Sequence, residues 1–81
     1  MRVQVLLFGP LSRAASSDSV SLDMHGESTT AREVLHALEG MAWFPHSAKG
    51  CRLAVNHAFA GDDTPIRESD EVALIGLVSG G

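Results

Sequence analysis

The sequence predicts an α+β domain in which one principal helix packs on a mixed sheet of four or five strands. Three observations predict it. β-branched, apolar segments stand near both ends of the chain, one amphipathic stretch with a helix-start signature lies between them, and turn chemistry separates the rest. Eighty-one residues, 44% hydrophobic and 20% charged, suit a single globular domain rather than a disordered chain. A core of this size supplies roughly 3–5 kcal/mol of net stability, so a bound partner would add meaningfully to it.

Residues 3–8 are apolar and β-branched, and Gly9-Pro10 ends them, which predicts the first strand. Residues 11–19 are small and polar and read as a loop or a short distorted helix. Val20-Ser21-Leu22-Asp23-Met24 alternates strictly and predicts a half-buried second strand, paired antiparallel with the first and stopped at His25-Gly26. Thr30-Ala31-Arg32-Glu33 has the form of a capping box, and Ala31, Val34, Leu35 and Leu38 follow as one stripe, so the principal helix starts here and stops at Gly40. Residues 41–50 are irregular, with Trp43-Phe44 before Pro45 closing one end of the core.

Residues 52–55 predict a short strand, Asn56-His57 a turn, and Phe59-Ala60 a candidate further strand. Asp62-Asp63-Thr64-Pro65 and Ser69-Asp70 are turns, and residues 71–78 the last strand. The domain is expected over residues 1–77, with 78–81 as a flexible tail.

Strand parity carries the first functional clue. Val3, Val5 and Leu7 point one way and Arg2, Gln4, Leu6 and Phe8 the other; Val72, Leu74 and Val78 oppose Glu71, Ala73, Ile75 and Leu77. Each strand has one apolar face and one that turns from polar to apolar along its length. If the two run parallel side by side, Leu6, Phe8, Ile75 and Leu77 form a patch beside the tail. The helix covers one face of the sheet, so the patch is either a partner surface or is covered by residues 41–50 or Phe59.

Other classes of function find little support. A net charge of −4, with six scattered Lys and Arg residues, argues against a nucleic-acid surface. His25, His36, His46 and His57 show no metal-ligand spacing, and neither CxxC nor HExxH is present. Cys51, the single cysteine, reads as a small buried filler rather than a sulfur relay. Ser79 has no motif-placed base, Asp62-Asp63 and Asp70-Glu71 read as turn residues rather than a cation site, and no glycine-rich phosphate loop exists. No stretch approaches the ~20 apolar residues of a membrane span. The opening apolar run is interrupted by Gln4 and cut short by Gly9-Pro10, unlike a signal peptide, so the cytoplasm is the expected location.

The sequence ends Val78-Ser79-Gly80-Gly81. Two glycines are thin enough to enter clefts that any Cβ would block. Four extended residues reach roughly 13–14 Å, enough to thread a buried site while a folded body stays outside. A terminal carboxylate, with a pKa near ~3.3–3.7, is anionic at neutral pH and must be activated before it can act as an acyl donor.

Taken in order, Val5-Leu6-Leu7-Phe8, the helix from Thr30 to Leu38, Leu53-Ala54-Val55-Asn56, Thr64-Pro65-Ile66, Asp70-Glu71-Val72-Ala73-Leu74-Ile75 and Val78-Ser79-Gly80-Gly81 resemble the small subunit of molybdopterin synthase, a sulfur carrier with the ubiquitin-like β-grasp fold. One departure is Gly76-Leu77, where that family usually has two prolines; the tail root is expected to be looser here. The resemblance implies that an adenylating enzyme of the ubiquitin-activating type spends ATP on the Gly81 carboxylate. A persulfide donor then displaces AMP to leave a thiocarboxylate. The tail enters the large synthase subunit, within a heterotetramer, and gives its sulfur to a pyranopterin to build the dithiolene that holds molybdenum. It further implies that Gly81 is the covalent carrier and Gly80 gives the tail access, while Phe8, Phe59, Ile75, Leu77, Val78 and Ser79 meet the partner. The chain itself would bind no cofactor and would not be catalytic alone. A carrier for thiamine thiazole synthesis, a ubiquitin-like protein modifier and a β-grasp interaction domain with an inert tail remain as alternatives.

Overall fold

Alternation along each strand sorts this chain into a packed face and an open one. The computed structural model describes residues 1–45 and 50–76. Strand β1 (Arg2–Leu6) buries Val3 and Val5 and turns Arg2 and Gln4 outward. Strand β2 (Ser19–Asp23) pairs antiparallel with it, Val3 opposite Leu22 and Gln4 opposite Ser21. Between them runs a seven-residue helix α1 (Gly9–Ala15), which resolves the choice left open for this stretch. Pro10 fits at its first turn, where no N–H is needed, and Ser16 closes it in the left-handed conformation at φ 55°. The first strand therefore ends at Leu6, short of the expected Phe8. The Leu7 amide turns to the Asp18 carbonyl at 2.8 Å, and Phe8 becomes the residue that caps α1.

Strand β3 (Ser28–Thr30) leads directly into the principal helix α2 (Ala31–Glu39). The Glu33 amide donates to Thr30 Oγ1 at 3.3 Å, as a helix-start residue should accept it. The Thr30 hydroxyl in turn donates to Glu33 Oε1 at 3.3 Å. The stripe of Ala31, Val34 and Leu38 is buried, Val34 and Leu38 completely. Gly40 ends the helix as expected, although at φ −80° it remains right-handed, so the stop does not use glycine's special freedom.

Strands β4 (Arg52–Val55), β5 (Ala58–Phe59), β6 (Pro65–Arg67) and β7 (Val72–Ile75) complete the fold. The main sheet has the order β2-β1-β7-β4-β5, with β1 and β7 parallel at its centre and the other pairs antiparallel. In β7 the described ladder ends at Ile75; the expected continuation through Leu77 and Val78 lies outside the described residues. A second sheet of two strands joins β3 to β6, with Thr29 opposite Ile66. Neither of these strands is predicted from the sequence.

Val3, Val5, Val34, Leu38, Leu53, Ile66, Val72 and Leu74 form the centre of the core, and Cys51 is buried with them. Trp43 and Phe44, ring centroids 5.8 Å apart, pack against that core from one end. No helix among the described residues is long and apolar enough to cross a membrane. The result is the expected α+β architecture, a mixed five-stranded sheet with one principal helix.

Candidate functional site

The face of the main sheet that α2 does not cover is built from alternate residues of β1, β7 and β4. The parallel register sets Leu6 beside Ala73. The antiparallel register sets Ala54 opposite Ala73, Arg52 opposite Ile75 and Phe59 opposite Ala54. Two alanines in adjacent positions leave a depression, and larger side chains stand around it. The depression is a groove of about 350 Å³, floored by Ala54 and Ala73 and walled by Phe8, Phe59 and Ile75. Phe8 and Phe59 are 57% and 56% exposed, the large apolar side chains most open to water among the described residues. Large aromatic area left open beside a concavity marks an interaction surface rather than part of a core.

The β4–β5 turn holds one wall in place. Asn56 and His57 both adopt left-handed conformations, φ 51° and 71°, as a two-residue hairpin turn requires. The Asn56 amide donates to the Glu71 carbonyl at 2.8 Å, and the Glu71 amide donates back to Asn56 Oδ1 at 3.0 Å. Asn56 Nδ2 donates to Asp70 Oδ1 at 3.2 Å, and the Arg67 amide donates to Asp70 Oδ2 at 2.8 Å. The Arg67 amide first, and the Asn56 side chain second, hold the Asp70 carboxyl below its usual range. These bonds tie the hairpin that carries Phe59 to the turn that launches β7.

Charged groups stand at the two ends of the groove. His57 Nε2 lies 3.2 Å from Glu71 Oε2, and both residues line it. At the Ile75 end the Arg52 guanidinium carbon lies 4.6 Å from the centroid of the Phe59 ring. Further along the same face, toward β2, the surface turns polar and forms a shallow hollow lined by Arg2, Gln4, Ser21 and Glu68. Leu6, half-buried, borders that hollow and not the apolar groove.

Of the residues singled out in the sequence, Phe8, Phe59 and Ile75 come together around this groove. Leu77, Val78, Ser79, Gly80 and Gly81 lie outside the described residues. Of residues 41–50, the alternative cover for the patch, Met41, Trp43 and Phe44 pack against the core, 46–49 lie outside the described residues, and Phe59 forms a wall rather than a lid. Ala54, Ala73 and Arg52 are not candidates in the sequence, and His57 and Glu71 figure there only among the dismissed metal and cation candidates. Their roles arise from register between strands distant in sequence, and only the Asn56-His57 turn gave a local hint. Among the described residues no group of three His, Cys, Asp or Glu side chains can hold a metal ion.

The model of the ThiS family matches residues 5–81. A search of curated protein sequences finds no match. Among solved structures the chain is similar to SAMP1 from Haloferax volcanii, with a TM-score of 0.80, 26% identity and 100% of both chains covered. It is similar to the putative molybdopterin converting factor subunit 1 from Pyrococcus furiosus, with a TM-score of 0.75 and 16% identity over 96% of this chain and 99% of that one. It is also similar to a chain of the complex of subunits 1 and 2 of the molybdopterin-converting factor from Helicobacter pylori, with a TM-score of 0.69, 23% identity and 100% of both chains covered. At these identities the last two likenesses speak for the fold. A family model that spans nearly the whole sequence, together with this sheet order, places the chain in the ThiS family, as a ubiquitin-like β-grasp protein of the sulfur-carrier kind.

Proposed function

We propose that this chain is the sulfur-carrier subunit of a cytoplasmic molybdopterin synthase and carries sulfur as a thiocarboxylate on Gly81. The observation that carries the reading is the family match, which runs through Val78-Ser79-Gly80-Gly81. The apolar groove on β7, the strand that precedes those residues in sequence, supports a docking face for a partner. The Helicobacter pylori complex pairs a protein of this fold with a second subunit, which supports a large-subunit partner for this chain.

In this reading an adenylating enzyme uses ATP to convert the Gly81 carboxylate into an acyl-adenylate, and the outer sulfur of a persulfide displaces AMP to form an acyl disulfide. A second thiol then cleaves that S–S bond, releasing the thiocarboxylate and leaving the donor sulfur in a disulfide. Phe8, Phe59 and Ile75 then seat the folded body on the large subunit while Val78, Ser79, Gly80 and Gly81 reach its active site. Binding energy from the body positions the reactive end, so the carrier needs no catalytic side chain of its own.

The test is intact-mass analysis after incubation with an adenylating enzyme, ATP, a persulfide donor and a thiol reductant. Replacement of one oxygen by sulfur, localised to the C-terminal peptide, is the expected result. Deletion of Gly81 should abolish it and leave the far-UV circular dichroism unchanged. Failure to form the sulfur species with any adenylating enzyme of the same organism would overturn the reading.

The likeness to SAMP1, a small archaeal modifier protein, favours a second reading in which Gly81 is joined to lysines of target proteins. Target lysine peptides branched with the tryptic fragment that runs from Glu68 to Gly81, recovered from cells expressing the tagged chain, would establish that role.

A further inference from the structure

We propose that Arg52 and Glu71 give the apolar groove a fixed electrical polarity. The large subunit must then lay an apolar segment along β7 with a carboxylate facing Arg52 and a cation facing Glu71. The inference rests on the docking face proposed above and adds the chemistry of what docks there.

The register sets the geometry. Arg52 stands opposite Ile75, and Ala54 opposite Ala73, so the face runs from Glu71 through Ala73 to Ile75 along one strand. Four residues of strand span about 13 Å. Arg52 therefore marks one end of the apolar floor and Glu71 the other. The floor between them carries no charge of its own, being Ala54 and Ala73 between the two phenylalanines.

Two arginines, Arg2 and Arg32, are paired among the described residues, and Arg52 differs from them and from Arg13 and Arg67 in resting on an aromatic ring. Arg2 lies 3.5 Å from Asp23 and Arg32 lies 3.4 Å from Asp62. Among the described residues no carboxylate forms such a pair with Arg52, although the chain carries ten acidic residues against six basic ones. Its guanidinium rests instead on the Phe59 ring, 4.6 Å from the centroid. Stacking holds the planar cation at the lip of the groove and leaves its N–H edge available to a ligand. A planar fork of donors beside an apolar wall matches a carboxylate.

At the opposite end the Glu71 carboxylate lies 3.2 Å from Nε2 of the exposed His57. A segment laid in the reverse direction would bring like charges together at both ends, a mismatch that costs more than an absent contact. Rim charges of this kind act chiefly on association rate, its salt dependence and the choice of partner.

The experiment is a titration of the chain with the molybdopterin synthase large subunit of the same organism, at low and at physiological salt. Arg52→Glu should weaken binding about 10–100-fold and Arg52→Met, which keeps the contact with Phe59 but not the charge, by about 3–10-fold with a flatter salt dependence. Arg52→Lys should couple through a zero-length carbodiimide to an aspartate or glutamate of the large subunit, identified by peptide mass. Circular dichroism of each variant should match the parent, because the side chain is exposed. If the parent binds and Arg52→Glu binds as tightly, the polarity is wrong and the docking face stands. If the parent itself does not bind the large subunit, both fall.

Discussion

The two faces of the main sheet are made by the same strands, one residue out of step, and have opposite fates. On the helix side Val3, Val5, Leu53, Val72 and Leu74 are no more than 2% exposed. On the other side Phe8 and Phe59 are more than half exposed, and small alanines lie between them. The first face is buried against the helix and the rest of the core, which holds the domain together. The second is deliberately left unfilled, a depression with aromatic walls that a partner can complete. Stability and docking are thereby separated onto alternate residues of single strands, and each can be altered without the other.

The sharpest way to break that separation is to truncate neighbours on β7. Leu74→Ala should cost about 2–5 kcal/mol, the usual range for a fully buried leucine, and so unfold much of a domain with only a few kcal/mol in hand. Ile75→Ala, on the half-buried outer face, should cost about 1 kcal/mol because less apolar area returns to water. It should nevertheless weaken the large-subunit complex about tenfold or more, as loss of an apolar anchor does. Urea unfolding and a binding titration on the same two variants check this. Equal destabilisation by both would mean that the outer face is structural.

The sequence made much of this contrast legible, and its gaps have physical causes. Val3, Val5, Val72 and Leu74 declare the inner face because period-2 patterns over five or more residues leave little choice of face. The capping pattern from Thr30 to Glu33 declares the start of α2 because its chemistry is local. β3 and β6 escaped because each is three residues long with a single buried side chain, Thr29 in one and Ile66 in the other. One buried residue cannot display a period, and the pairing of Thr29 with Ile66 joins distant parts of the chain. The groove escaped in part for the same reason. Phe8, Phe59 and Ile75 are visible as large apolar residues, but a floor of Ala54 and Ala73 exists only once β4 and β7 are in register.

A smaller effect should distinguish the turns that frame the outer face from the sheet beneath it. Asp70 has its carboxyl held below the value of 3.8 that it would show unfolded, by the Arg67 amide and then the Asn56 side chain. A depressed folded pKa means that the ionised group stabilises the fold above the unfolded value, and that this contribution fades as pH falls below 3.8 through the folded value. Asp70→Asn should therefore melt below the parent at neutral pH, by a small margin since the carboxyl is exposed to solvent. The two melting curves should converge as the pH drops below 3.8. Thermal melts across that range check it, and a constant gap would assign the effect to the side chain's shape rather than its charge.

The smallest expected effect concerns the junction between the packed and the open regions. Gly76 follows β7 and does not occupy the left-handed region; a Cβ placed there would meet Leu11 Cδ1 at 3.6 Å, an ordinary contact. Gly76→Ala should then stabilise the domain by about 0.4–1 kcal/mol, because the unfolded chain loses freedom and the folded chain gains no strain. Gly50 is the matched control. It has open space around it, but its φ of +94° is one that side chains rarely adopt, so Gly50→Ala should destabilise by about 1 kcal/mol with no clash at all. Differential scanning calorimetry of the two variants reads the opposite signs directly. If Gly76→Ala raises stability and leaves docking intact while sulfur transfer slows, then the glycine serves delivery rather than the fold. If transfer is unchanged, Gly76 has no part in delivery.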